Sequence, residues 1–256
     1  MRGMLELRNL NVEIGGKSVC RSLSLALRGG QHWAVLGSNG IGKTTLLHTL
    51  AGLRPAAGGE VLLQGESLAA TQPRARARRI GVLFQDNEDP FPATVMETAL
   101  IGRHPHLAPL AWESREDTAL ATRALEDVQL AGLSQRSVTT LSGGERRRLA
   151  VATLLTQDPQ VWLLDEPLSH LDLHHQITML ELLRERCQQN QGTALMTLHD
   201  VNLAARFCDH LLLLFGEGET LHGVTEDVLC VGNLERLYGH PIVCLTDGER
   251  RVFLPA

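Results

Sequence analysis

The sequence predicts an α/β fold: a mostly parallel sheet, N-terminal antiparallel strands and an inserted helical subdomain. Three observations carry that expectation. Short, wholly apolar runs recur between helical stretches, as strands buried on both faces require. One of these runs, 33–36, passes through a glycine-rich turn directly into a helix. Alternation of apolar and polar residues, the mark of a strand with one wet face, is confined to the two ends of the chain.

The elements follow in order. Leu5, Leu7, Val12 and Ile14 alternate with polar neighbours, then Val19, Leu23, Leu25 and Leu27, across the turn Gly15-Gly16-Lys17. Strand 33–36 and helix 43–50 come next, then strands 61–63 and 80–84. Beyond Phe84 the texture becomes polar and proline-rich (Asp86-Asn87-Glu88-Asp89-Pro90-Phe91-Pro92), then helical, with Leu120, Ala124, Leu125 and Val128 on one face of a helix over 117–128. This predicts a helical subdomain over about 86–140 within a single domain spanning 1–256. The core pattern then resumes: helix 144–157, strand 161–164, helix 173–189, strand 194–198, helix 201–208 and strand 211–215. Two short alternating runs, 242–245 and 251–254, flank the turn Thr246-Asp247-Gly248-Glu249.

Composition excludes several classes. The chain has 256 residues, 43% hydrophobic and 21% charged, a globular balance rather than a disordered one. A net charge of −5 gives no global basic field for nucleic acid. No apolar run approaches the roughly twenty residues of a membrane span, and Arg2 and Glu6 stand where an export signal would be apolar. Cys20, Cys187, Cys208, Cys230 and Cys244 lack CxxC spacing and read as reduced thiols of a cytoplasmic protein, not a disulfide frame or zinc site. The basic run Arg74-Ala75-Arg76-Ala77-Arg78-Arg79 spreads its charges round a helix and reads as a solvated approach to the next strand, with a minor role near lipid headgroups as the alternative.

Gly37-Ser38-Asn39-Gly40-Ile41-Gly42-Lys43-Thr44 fits the P-loop pattern, followed by Thr45 and set between strand and helix as the motif requires. Glycines let successive N–H groups curl toward phosphate oxygens, and the helix N-terminus adds its positive end. Lys43 is expected to reach the β- and γ-phosphates of ATP, and the Thr44 hydroxyl to ligate Mg²⁺. The apolar strand 161–164 then delivers Asp165 and Glu166 at its C-terminal end. Side chains diverge along an extended strand, which predicts separate roles: Asp165 toward Mg²⁺, Glu166 as general base toward the attacking water.

Leu141-Ser142-Gly143-Gly144-Glu145 makes the pattern specific. LSGGE between a P-loop and an apolar-DE strand resembles the signature of ATP-binding-cassette (ABC) ATPases. Gln85 resembles the family's Q-loop glutamine, Ser169-His170-Leu171-Asp172 its D-loop, and His199 its switch histidine. The resemblance implies that Gln85 senses Mg²⁺ and water, that His199 contacts the γ-phosphate, and that Leu141, Ser142, Gly143, Gly144, Glu145 and Asp172 face ATP held by a second subunit. It therefore implies a head-to-tail homodimer enclosing two ATP molecules. It also implies integral membrane permease subunits docked near the Q-loop, with 86–106 as the candidate docking stretch. A substrate-binding protein completes such a system; no nucleic acid takes part. The chain would sit in the cytoplasm, peripheral on the inner face of the cell membrane. Met96–His106, the 198–209 segment and Asn233–Pro241 resemble the importer group for ferric siderophores, haem and cobalamin. The alternative is a cytosolic assembly ATPase of the iron–sulfur type. Two positions depart from the family: Ile14 stands where an aromatic residue stacks on adenine, and Thr153 where many relatives carry arginine.

Overall fold

A computed structural model describes residues 3–85, 92–248 and 250–256. The N-terminal half runs β1 (Leu5–Ile14), β2 (Lys17–Leu27), β3 (His32–Leu36), α1 (Lys43–Leu50), β4 (Gly58–Leu63), β5 (Glu66–Ser67), α2 (Pro73–Ala77) and β6 (Ile80–Leu83). Three helices follow, α3 (Val95–Leu100), α4 (Arg115–Asp127) and α5 (Gly143–Gln157), with short 3₁₀ turns between them. The chain then returns to the sheet through β7 (Val161–Leu164), α6 (Leu173–Gln189), β8 (Thr193–Thr197), α7 (Val201–Phe207), β9 (His210–Gly216) and β10 (Glu219–Val224). It ends with α8 (Thr225–Val228), α9 (Val231–Tyr238) and a hairpin of β11 (Ile242–Asp247) and β12 (Arg250–Pro255).

Two larger sheets form. One has the order β10-β9-β3-β8-β7-β6, with β9, β3, β8, β7 and β6 mutually parallel and β10 antiparallel at the edge. The other, β2-β1-β4-β5, is antiparallel throughout. The side-chain period of two divides the central strands between two apolar layers. Ala34, Leu36, Trp162, Leu164, Ala194 and Met196 face a layer shared with α3 to α7. Trp33, Val35, Val161, Leu163 and Leu195 face one shared with β1, β2, β4 and α1. Every residue of β3, β7 and β8 is buried, which accounts for sequences that are apolar or small throughout apart from His32 at the start of β3.

Boundaries differ from the sequence expectation where a local reason exists. The strand expected over 80–84 ends at Leu83, and Phe84 is exposed as the chain leaves the sheet. β4 starts at Gly58, ahead of its apolar stretch, because β1 pairs with Glu60 and Gly58. Ser142 caps α5 through a capping box: its hydroxyl accepts from the Glu145 N–H, and the Glu145 carboxylate accepts from the Ser142 N–H. No described helix is long and apolar enough to cross a membrane, and all five cysteines are free. Glu249 of the expected C-terminal turn lies outside the described residues.

Candidate nucleotide-hydrolysis site

Because β3, β8, β7 and β6 are parallel neighbours, their C-terminal ends share one edge of the sheet. Each delivers one of the expected elements there: Gly37 after β3, His199 after β8, Asp165 after β7 and Gln85 after β6. That edge is where open α/β sheets bind ligands.

The turn after β3 is a backbone cradle. Gly40 and Gly42 take φ values of +75° and +109°, open to glycine without strain. At Gly42 a Cβ would also lie 2.4 Å from Val19 Cγ2. Gly42 is the N-cap of α1, and no described side chain occupies that cap, so the first helical N–H groups open into the turn. Lys43 is buried, its Nζ donating to the carbonyls of Gly37 at 2.8 Å and Ser38 at 3.2 Å. Burial draws its pKa down, and the Glu166 and Asp165 carboxylates oppose that shift. Ser38, Asn39 and Gly40 are exposed, Ile41 and Thr44 half-buried, and Thr45 buried behind them. Ile14 closes β1 with its side chain 38% exposed, followed by Gly15 and Gly16 in left-handed backbone.

The two acids after β7 diverge for a reason other than strand geometry. The strand stops at Leu164, and Glu166 sits in left-handed backbone at φ +48°. Asp165 is buried; its Oδ1 accepts from Thr197 Oγ1 at 2.8 Å, while its Oδ2 is buried with no hydrogen-bond partner among the described residues. Thr197 Oγ1 in turn accepts from the Glu166 N–H at 2.7 Å. The Glu166 side chain points the other way, its Oε1 2.8 Å from His199 Nε2. An orphaned carboxylate oxygen at 2% residue exposure is costly unless something positive meets it. Asp165 thus fits a divalent cation.

Arg147, on the buried face of α5, ties these parts together. Its guanidinium donates to the carbonyls of Phe84 at 2.6 Å, Gln85 at 3.4 Å and Glu166 at 2.6 Å, and also to Asp165 and Pro167. One side chain thereby joins the end of β6 to the end of β7. Arg147 and Thr197 were not among the expected site residues. Their signals are present: Arg147 shares a helical face with the buried Val151 and Leu154, at i+4 and i+7, and Thr197 ends the strand beside Asp165.

The LSGGE segment lies at the N-terminus of α5 with Ser142 and Gly143 exposed. Acting as a cap, the Ser142 hydroxyl uses a lone pair and keeps its proton for an outside acceptor. A Cβ at Gly144 would stand 3.1 Å from the His170 carbonyl, so this glycine lets the 169–172 turn pack on the helix start. Asp172 caps α6, its Oδ1 accepting from His175 at 2.9 Å. Residues 86–91 of the candidate docking stretch, Pro90 and Phe91 among them, lie outside the described residues. Beside the described remainder runs a groove of about 240 Å³ lined by Val82, Phe84, Thr98, Arg146, Thr153 and Gln157. Thr153 Oγ1 donates to Thr98 O at 3.2 Å, and a Cβ at Gly102 would stand 2.2 Å from Thr153 O. Position 153 is thus a close crossing of α5 with the segment after α3.

Residues 20–169, more than half the chain, match the ABC transporter family. Among curated proteins, the ferric enterobactin transport ATP-binding protein FepC of Escherichia coli (strain K12) is 36% identical over 93% of this chain and 88% of its own length. The hemin import ATP-binding protein HmuV of Pseudomonas fluorescens (strain Pf0-1) is 39% identical over 96% of this chain and 97% of its own. Among solved structures, a metal-chelate-type ABC transporter in an inward-facing conformation superposes with a TM-score of 0.85 at 30% identity, covering 99% of this chain and 97% of that one. A family match over more than half the chain, with curated relatives matched almost end to end, places the chain in the ABC transporter family, as an ATPase that drives transport.

Proposed function

We propose that the chain powers import of a ferric siderophore, haem or cobalamin-type chelate through separate membrane permease subunits, as a homodimer on the inner face of the cell membrane. The observation that carries the ATPase half is the meeting of Lys43, Asp165, Glu166 and His199 at one sheet edge. The import half rests on the relatives above and on the importer-like segments 96–106, 198–209 and 233–241. A substrate-binding protein belongs to the same system, and within this chain the described residues 92–140 act as the inserted helical subdomain.

The chain's own residues divide the work. The turn 37–42 and Lys43 hold the phosphates by N–H and ammonium donors; Ile14 packs on the base. Glu166 takes a proton from water as the water oxygen bonds to the γ-phosphorus; the bond to the bridging oxygen breaks, leaving ADP and phosphate. His199 fixes the Glu166 carboxylate, which keeps lone pairs free beyond that one bond. Asp165, with Thr44 and Gln85, would hold Mg²⁺, which supplies charge neutralisation on the phosphates. Leu141, Ser142, Gly143, Gly144, Glu145 and Asp172 present the opposing face to ATP bound by the second copy. The groove beside Thr153 and Gln157 receives the permease.

Tagged protein purified from solubilised membranes of its own host tests this directly. A stoichiometric polytopic membrane subunit is the expected companion. Recovery with soluble proteins only, and full ATPase activity alone, would favour the cytosolic assembly machine.

A further inference from the structure

We propose that the 107–113 loop, with the arginines of the α2 segment behind it, is a contact for the surface of an anionic phospholipid bilayer. The loop presents Leu110 fully exposed and Trp112 at 89% exposure. Leu110 also takes φ +63°, a left-handed conformation that a branched apolar residue adopts only against resistance. The Ala111 N–H donates to the Ala108 carbonyl at 3.0 Å and closes the turn that holds this conformation, while both side chains stay in solvent. An indole and an isobutyl group projecting side by side are what an interfacial membrane anchor offers.

The basic run supplies the second signal such an anchor needs. Far from being simply solvated, Arg74 and Arg78 both grip the base of this loop: their Nε atoms donate to the Pro105 carbonyl at 3.1 and 2.7 Å. The rest of each guanidinium makes no further bond among the described residues. Neighbouring acids are already occupied, Glu66 by Arg79 at 3.0 Å and Asp117 by Arg103 at 2.7 Å. Between Arg74 and Trp112 lies an open depression of about 480 Å³, lined also by His104 and Glu113. Within that lining Arg74 and Glu113 cancel, and Arg78, held on the same Pro105 carbonyl, leaves the loop base one positive charge in excess, the sign that attracts lipid phosphate. The loop base is continuous with the groove, since His106 Nε2 lies 3.0 Å from the carbonyl of Gln157, a groove residue. Apolar tip and basic base therefore lie beside the face read above as the permease dock, and the contact does not depend on that reading.

Trp112 makes the test specific, because Trp33 and Trp162 are buried at 3% and 1% exposure. Purified full-length protein is mixed with vesicles of equal parts phosphatidylglycerol and phosphatidylcholine, or phosphatidylcholine alone, without any permease. The expected result is co-sedimentation with the anionic vesicles only, weakened by salt. Trp112 fluorescence should shift to the blue and be quenched by brominated lipid. Leu110→Ser with Trp112→Ser should lower vesicle affinity about tenfold or more, with ATPase activity unchanged. No binding, or equal binding by the double variant, would overturn the proposal. So would shielding of Trp112 that appears only when permease is present and is indifferent to lipid charge, which would make the loop a protein contact.

Discussion

A guanidinium nitrogen of Arg147 donates to the backbone carbonyl of Glu166 at 2.6 Å. With Thr197 Oγ1 accepting from the Glu166 N–H at 2.7 Å, the peptide groups on both sides of this residue are fixed, and with them its left-handed backbone. That conformation aims the carboxylate at His199 instead of into the sheet alongside Asp165. Arg147→Gln should therefore lower kcat for ATP by about 10–100-fold, leaving KM for ATP little changed because the 37–42 cradle is untouched. Arg147→Lys should recover part of the loss. Steady-state kinetics check both; a rise in KM with normal kcat would remove Arg147 from the positioning of Glu166.

In the proposed site, Ile14 meets adenine with a small apolar face where an aromatic ring would offer stacking. Base–aromatic stacking contributes about 1–3 kcal/mol, so Ile14→Tyr should tighten ATP binding about tenfold or more. Titration of the purified protein with a fluorescent ATP analogue measures this, and an unchanged Kd would show that Ile14 does not contact the base.

Asp117 ties α4 to the segment after α3. Hydrogen bonds from the Ser114 hydroxyl and N–H, then from the Arg103 guanidinium, hold its carboxyl down to about 2. The depressed folded pKa fixes the sign: the stabilisation is complete above the unfolded value near 4 and disappears as pH falls toward 2. Asp117→Asn should lower stability at neutral pH by about 2 kcal/mol and flatten the acid limb of the unfolding curve between those values. Denaturant titrations of both proteins across that range are the check.

The cysteines should separate into two groups under a thiol reagent. Burial pushes Cys20 up to about 11 and Cys187 and Cys208 to about 12, which removes their thiolates at neutral pH. Cys230 is exposed and Cys244 half-buried. The native protein should therefore label only at these last two, and at all five once unfolded. Prompt labelling of Cys187 in the folded state would mean that α6 opens readily.

Much of the fold was legible because its strands are buried on both faces. Continuous runs such as Val-Trp-Leu-Leu leave little choice of element, and glycine turns mark where β3 must end. β10 was not legible: Glu-Thr-Leu-His-Gly-Val is mostly exposed at a sheet edge, so pairing with β9 rather than burial defines it. β5, two residues long, carries no periodicity at all. The residues gathered at the sheet edge, 37–43, Asp165, Glu166 and His199, were visible as motifs, because each group follows a strand by a short step. What arranges them was not. Arg147 reads as one of three consecutive arginines, and only the approach of β6 to β7, segments eighty residues apart in the chain, gives it carbonyls to bind. The left-handed backbone of Glu166 was hidden similarly, since glutamate has no local preference for it.

The measurement that bears most directly on the proposed chemistry is ATP turnover by Glu166→Gln beside ATP binding by the same variant. If Glu166 is the base, the variant binds ATP like the parent, accumulates as an ATP-bound dimer and loses nearly all hydrolysis. Hydrolysis at the parent's rate would contradict the assignment and send the search for the base elsewhere along the same sheet edge.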